Sequence, residues 1–219
     1  GARGGRPAYA KASAGFEWRP VRRSFSEGGM NNSPMAFMRG LTFPGGQQPV
    51  IRGKRIYLRY PRVTDYLQWA KLRGESRAFL EPWEPVWARD ELTRGAFRRR
   101  LKRYLKESQN DSAYAFFVFR AEDDALLGGC TLSNVRRGVT QCCALGYWIG
   151  ERFARQGYML EAVRALVPFI FSTLGLHRIE AATLPSNGPS KSLLSRCGFR
   201  EEGLAKAYIQ INGEWQDHV

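Results

Sequence analysis

Between Leu145 and Met159 an apolar, strand-like run gives way to a short basic loop, Arg155-Gln156-Gly157, and then to residues that open a helix at Tyr158 and Met159. The first amides of a helix have no intrahelical partner, and the aligned peptide dipoles place positive potential beside them. A glycine in the loop lets a ligand approach the backbone closely. This combination suits an anion, above all a diphosphate, with Arg155 adding charge at the rim. Taken alone the signal is moderate, because many strand–loop–helix joins bind nothing.

Metal chemistry is not legible. Cys130, Cys142, Cys143 and Cys197 show no CxxC spacing, and the histidines, His177 and His218, lie far apart. A zinc site needs clustered ligands. The cysteines read as reduced, mostly buried small hydrophobes. His177 reads as structural, between Leu176 and Ile179, whereas His218 and Asp217 stay open.

Several elements must position that loop. Ile56, Leu58 and Tyr60 alternate with polar residues, as in a half-buried strand, and Thr64 is placed to cap a helix through Leu72. A second helix is expected from Glu91 to Lys106, apolar at Phe97, Leu101, Tyr104 and Leu105 and otherwise strongly basic. Its basic side reads as a solvated face, with a substrate or ribosome contact as the alternative. Strand-like runs at 113–120, 126–134 and 141–149, separated by turns, predict an antiparallel meander. A helix is expected over 158–174, with Leu160, Val163, Val167, Ile170, Phe171 and Leu174 on one face and a kink at Pro168. A strand over 177–183 leads to a short helix opened by Asn187 and Pro189 and stopped by Gly198. Beyond Phe199 the pattern is strand, a turn at Asn212-Gly213, and a strand that looks truncated at Val219. The fold class is mixed α/β or α+β.

The 219 residues are enough for one sizeable domain, and 43% hydrophobic content is enough for its core. Residues 1–45, rich in Gly, Ala, Ser, Pro and Arg, lack apolar periodicity and read as a disordered or non-native leader, with a basic binding arm as the alternative. The domain is expected over 46–219. A formal charge of +14 favours polyanionic partners without choosing among nucleic acid, ribosomal surface, phosphorylated cofactor and acidic peptide. The longest apolar run, Ala165 to Phe171, is too short to cross a bilayer, and no secretory pattern opens the sequence. A soluble, cytoplasmic protein without membrane contact is expected.

The order of these elements, the basic loop and the later run from Asn187 to Phe199 together resemble the GNAT acetyltransferases, and within them the RimJ branch of the RimJ/RimL group. The segments that carry the resemblance are 79–86, 133–138, 145–147, 156–159, 176–179 and 213–219, which span the whole domain. The resemblance implies a GNAT fold: a mostly antiparallel mixed sheet with flanking helices, and a splayed parallel strand pair that binds acetyl-CoA. It implies that the coenzyme diphosphate rests on Arg155, Gln156, Gly157, Tyr158 and Met159. The pantetheine arm is then expected along the strand ending at Ile149, with Asn187 touching it or an ordered water. Strand amides would stabilise the oxyanion formed at the thioester. Phe79, Trp83 and Tyr147 are expected to bind the acceptor.

The chain also departs from that pattern. Ala154 stands where the family loop usually carries Gln or Arg. Met159 replaces a small residue. Leu194 stands where many members carry a tyrosine acid, and Ala144 lies near where they carry a glutamate. Glu84 as base and Ser190 as proton relay are the nominated catalytic residues; an exposed loop acid and a capping residue are their bland alternatives. The acceptor implied is the N-terminal α-amine, alanine, of a ribosomal protein. An α-amine near pKa 8 is easier to obtain neutral at pH 7 than a lysine near 10.4, by about 3 kcal/mol. The rival readings are transfer to a small amine, antibiotic or lysine, and a non-catalytic ribosome- or RNA-binding module.

Overall fold

The computed structural model describes residues 14–16 and 49–219. A short strand, β1 (Ala14–Phe16), is followed by β2 (Ile51–Arg52) and β3 (Ile56–Arg59), then by helices α1 (Tyr66–Glu75), α2 (Arg77–Leu80) and α3 (Arg94–Gln109). The meander β4 (Tyr114–Arg120), β5 (Leu126–Arg136) and β6 (Cys142–Ile149) comes next, then α4 (Tyr158–Pro168), β7 (Arg178–Ala181) and α5 (Gly188–Arg196). A hairpin of β8 (Ala205–Ile211) and β9 (Glu214–His218) ends the order. One sheet runs β1-β7-β6-β5-β4-β3-β2 and the hairpin forms a second. Within the larger sheet β6 and β7 are parallel and every other pairing is antiparallel. This is the expected mixed sheet with flanking helices. The leader expected over 1–45 lies outside the described residues, apart from Ala14–Phe16, which pair with Ile179–Ala181.

β4 is buried along nearly its whole length because helices cover both of its faces. Phe117 meets Phe97 of α3 on one side, with ring centroids 6.4 Å apart. Phe116 meets Phe169, just past α4, on the other at 5.5 Å. Each such buried ring contributes about 1.5–3 kcal/mol. These contacts cover β4, which lies two strands from β6, the strand that borders the cleft.

Local details differ from the sequence expectation. Thr64 is not a helix cap: it sits inside a 3₁₀ turn, Val63–Asp65, and α1 starts only at Tyr66. The carboxylate of Asp65 instead accepts the Arg62 N–H at 2.7 Å and pairs with Arg59, so the acid organises the turn. Of the face expected over 158–174, Val163, Ile170 and Leu174 are buried, while Leu160, Val167 and Phe171 are only half-buried, and Met159, Ala162 and Leu166 join the core in their place. Two apolar stripes compete on this helix, and the sheet takes the one that includes Ala162. At Pro168 the winding changes from α to a π turn over Phe169–Thr173, since the missing proline N–H leaves one carbonyl without its usual donor.

Candidate active site

The site begins where two strands part. β6 and β7 pair only from Cys142–Arg178 to Ala144–Glu180, although β6 continues to Ile149. The Gly150 N–H donates to Leu127 of β5 at 2.8 Å, and the Gln141 carbonyl accepts from His177 at 2.7 Å. Strand alternation then turns the backbone groups of Leu145, Tyr147 and Ile149 away from β5, into the gap that β7 leaves. A cleft of about 930 Å³ opens there. It is bordered by a row of backbone donors and acceptors that an extended ligand arm can satisfy.

The basic loop closes one end of the cleft. Gly157 is the N-cap of α4 with φ 81°, and no side chain caps the helix. Its first intrahelical bond is Glu161 N–H to the Gly157 carbonyl at 3.0 Å, so the amides before it remain available to an anion. Arg155 also lies in the left-handed region, at φ 60°. Arg55, from the turn between β2 and β3, clamps this loop. Its guanidinium donates to the Gln156 carbonyl at 3.3 Å and to Glu161 at 3.0 Å, and lies 4.6 Å from the Tyr158 ring centroid. Burial would raise the pKa of the Glu161 carboxyl, but hydrogen bonds from Arg55 outweigh it and hold the pKa below its ordinary value. The acid in the first turn of α4 is thus neutralised by an ion pair, and the loop stays electropositive.

The other end is walled by the segment after α2. Glu84 accepts from Arg73 through both carboxylate oxygens, at 3.0 and 2.6 Å, and from the Trp87 indole at 2.8 Å. Arg73 is 6% exposed and lies between the rings of Trp87 and Trp148, at 4.3 and 5.0 Å. The Glu84 carbonyl accepts from Asn212 N–H, at the tip of the β8–β9 hairpin, at 3.0 Å. Helix α1, the wall and the hairpin are therefore joined through one residue. Gly129 allows this packing, since a Cβ there would lie 2.7 Å from the Trp148 indole nitrogen.

Between the two ends, the Tyr147 hydroxyl is 2.6 Å from Ser190 Oγ. Burial pushes the Tyr147 pKa up to about 12, which keeps the phenol a proton donor near neutrality. Ser190 is held by its N–H, which donates to Asn187 Oδ1 at 3.1 Å. Asn187 is thus the α5 cap, and its side-chain nitrogen remains for a ligand. Burial raises the Cys130 and Cys143 thiols to about 12 and Cys197 to about 11, so none is a ready nucleophile.

Phe79, Trp83, Glu84, Tyr147, Ile149 and Ser190 line the cleft, as do Arg155, Gly157, Tyr158, Met159 and Asn187. Gln156 does not; its carbonyl serves Arg55. Arg55, Arg73 and Glu161 escaped the sequence reading because their partners lie far along the chain or on another element. His218, left open before, is buried at 4% exposure and faces the cleft from β9. Among the described residues no group of three or more His, Cys, Asp or Glu is arranged to hold a metal ion, and no helix is long and apolar enough to cross a membrane.

A parallel strand pair that parts beside a helix N-terminus without a side-chain cap leaves backbone amides suited to a diphosphate-bearing ligand. The family model for the acetyltransferase (GNAT) domain matches residues 55–200, and the chain belongs to the GNAT acetyltransferases. It is 38% identical over 169 residues to the probable N-acetyltransferase YjcK of Bacillus subtilis (strain 168), covering 77% of this chain and 93% of that protein. It is 36% identical over 165 residues to the ribosomal protein uS5-alanine N-acetyltransferase of Escherichia coli (strain K12), covering 75% and 85%. Among solved structures, Mycobacterium smegmatis RimJ in complex with CoA-disulfide superposes with a TM-score of 0.71 at 30% identity, covering 78% of this chain and 82% of that one. The protein is a GNAT N-acetyltransferase that uses acetyl-CoA.

Proposed function

We propose that the chain acetylates the N-terminal α-amine, alanine first, of a ribosomal protein in the cytoplasm. The observation that carries this reading is the cleft itself, lined by the donor loop at one end and by Phe79 and Trp83 of the apolar wall at the other. The uS5-alanine specificity of the Escherichia coli relative supports the acceptor. On this reading the diphosphate rests on the amides that open α4, and the β6 amides directed into the gap stabilise the charge that develops on the thioester oxygen. The amine attacks the acetyl carbon directly, since no thiol here is ready to carry the acetyl group. Tyr147, relayed by Ser190, supplies the proton to the departing sulfur. Both Glu84 oxygens are engaged by Arg73 and Trp87, which supports a role in anchoring the acceptor wall ahead of one as the base.

The test is release of free coenzyme A with Ala-starting peptides set against small amines and internal lysine peptides. Turnover of the Ala-starting peptide is expected; turnover of small amines alone refutes the acceptor.

A contact with ribosomal RNA is a second part of the proposal, favoured by one feature of α3. Arg99, Arg100 and Arg103 pair with Asp90, Glu91 and Glu107. Arg98, Lys102 and Lys106 are exposed, and among the described residues they make no ion pair. Their four-residue spacing sets them about 6 Å apart along the helix, a regular row of charge suited to a phosphate backbone.

A further inference from the structure

The structure contains a base that the sequence did not reveal, and we infer that His218 is the residue that takes the proton from the acceptor amine. The inference rests on the acyl-transfer reading of the cleft. Three observations carry it: burial, placement and tautomer. His218 is 4% exposed yet is among the residues that line the cleft, whereas His177 lies exposed on the surface. Its strand is fixed on both sides, by pairing with Ala205 of β8 and by the Val219–Thr183 backbone bonds of 2.9 Å beside β7. Its Nδ1 lies 3.0 Å from the Gln216 carbonyl. A carbonyl only accepts, so Nδ1 donates, and in the neutral imidazole Nε2 is then the nitrogen with the lone pair.

The surroundings leave that lone pair available. β8 presents Tyr208, whose ring centroid is 6.1 Å from the imidazole in an edge-on arrangement. β9 presents Asp217, whose carboxylate already accepts the Ala207 N–H at 2.8 Å. Ala181, Ala182, Thr183 and Leu184, at the end of β7, bring no ionisable group. The other ionisable groups on the cleft are Glu84, Tyr147, Arg155, Tyr158 and Arg196. Of these the arginines cannot accept a proton, Tyr147 is a phenol bonded to Ser190, Tyr158 is a phenol whose ring lies under Arg55, and Glu84 is committed to Arg73 and Trp87.

The step balances within the cleft. The amine nitrogen forms a bond to the acetyl carbon as its proton passes to Nε2 of His218. The carbon–sulfur bond then breaks, and its electron pair leaves on sulfur, which is protonated from the Tyr147–Ser190 pair. The imidazolium returns its proton to solvent, and Tyr147 is reprotonated from solvent.

Two variants separate chemistry from architecture. His218→Asn places an amide N–H where Nδ1 sits, keeping the bond to Gln216 while removing Nε2. His218→Gln keeps a group near Nε2 but loses the Nδ1 donor. Transfer is measured across pH on the full chain with an Ala-starting peptide and with a small primary amine, alongside acetyl-CoA affinity and melting temperature. The expected result is a fall in kcat of about 100-fold for His218→Asn near neutral pH, with affinity and melting unchanged. The deficit should shrink as the amine deprotonates by itself above about pH 8. A His218→Asn enzyme with wild-type kcat near neutral pH overturns the inference, as does a loss confined to His218→Gln. If peptide turnover is absent but small-amine turnover shows the His218 effect, the acceptor reading fails and the base assignment stands.

Discussion

Replacing Gly157 by Asp and, in parallel, by Asn separates the two things that glycine does. Its φ of 81° puts any side chain in the left-handed region, and a Cβ would lie 3.4 Å from Arg55 Nη2. Asp and Asn share that backbone strain, about 1–2 kcal/mol, and nearly the same volume. They differ in charge and in the amide N–H that only Asn can donate. A carboxylate at the α4 N-terminus would sit where a diphosphate is expected. Two unit charges about 4 Å apart interact by about 4 kcal/mol at an effective dielectric of about 20. Arg55, half-exposed and already bonded to Glu161, would offset part of this, as would salt. A net loss of at least about 1.4 kcal/mol is therefore expected for Asp relative to Asn, about tenfold in the acetyl-CoA dissociation constant. Calorimetric titration of the two proteins checks it, with thermal melting to show that both fold equally well. Equal affinities for Asp and Asn would show that no phosphate rests on this loop, and the diphosphate argument would fail with them.

Three further outcomes follow from the geometry. Arg73→Ala leaves Glu84 without its buried cation and should lower stability by about 3–5 kcal/mol; Arg73→Lys, which cannot form the bidentate pair, should recover part of it and raise KM more than it lowers kcat. Denaturant melts and steady-state kinetics read both. Tyr147→Phe should lower kcat by about tenfold or more with acetyl-CoA affinity preserved, and it carries a pH signature. Because burial raises the Tyr147 pKa to about 12 from an ordinary 10, its neutral form favours the folded state; that stability is complete below pH 10 and is lost as pH rises toward 12. Melting temperatures above pH 10 should therefore decline less steeply in the phenylalanine variant. Replacing Arg98, Lys102 and Lys106 together by Gln should flatten the salt dependence of RNA binding by about 2 in slope, whereas the same change at the paired Arg99 and Arg103 should not; filter binding across salt concentrations distinguishes them.

The legibility of the chain differs from one element to the next. The meander could be read because apolar alternation and turn residues act over a few positions, and β4 to β6 fall within a few residues of the runs expected. The start of α4 was readable for the same reason: Gly157 signals a backbone conformation that few other residues take. Thr64 misled because a threonine before an apolar stretch is a good cap in isolation, while Asp65 had a partner in Arg59 that local pattern does not show. The buried stripe of α4 was read only in part: Val163, Ile170 and Leu174 are buried as expected, but the small Ala162 also packs against the sheet, which large side chains alone do not signal.

The same limit applies to the candidate site. The polar residues of the loop and of α5 were visible because helix ends carry local signatures. Arg55 clamps a carboxylate 106 positions away, and the Tyr147–Ser190 pair spans 43; no short-range periodicity encodes such pairings. Arg73 and Glu84 lie only 11 apart, yet their pairing depends on two tryptophans from other elements closing around the guanidinium.

Residue order alone indicated most element types, the place where α4 starts and the kinship with GNAT acetyltransferases, since each rests on neighbours within a turn or a strand. Tertiary structure decided where β6 loses its partner, which carboxylate is already spoken for, and which histidine turns inward. Those outcomes depend on how distant surfaces compete for the same burial and the same hydrogen bonds, and that competition exists only once the chain has packed.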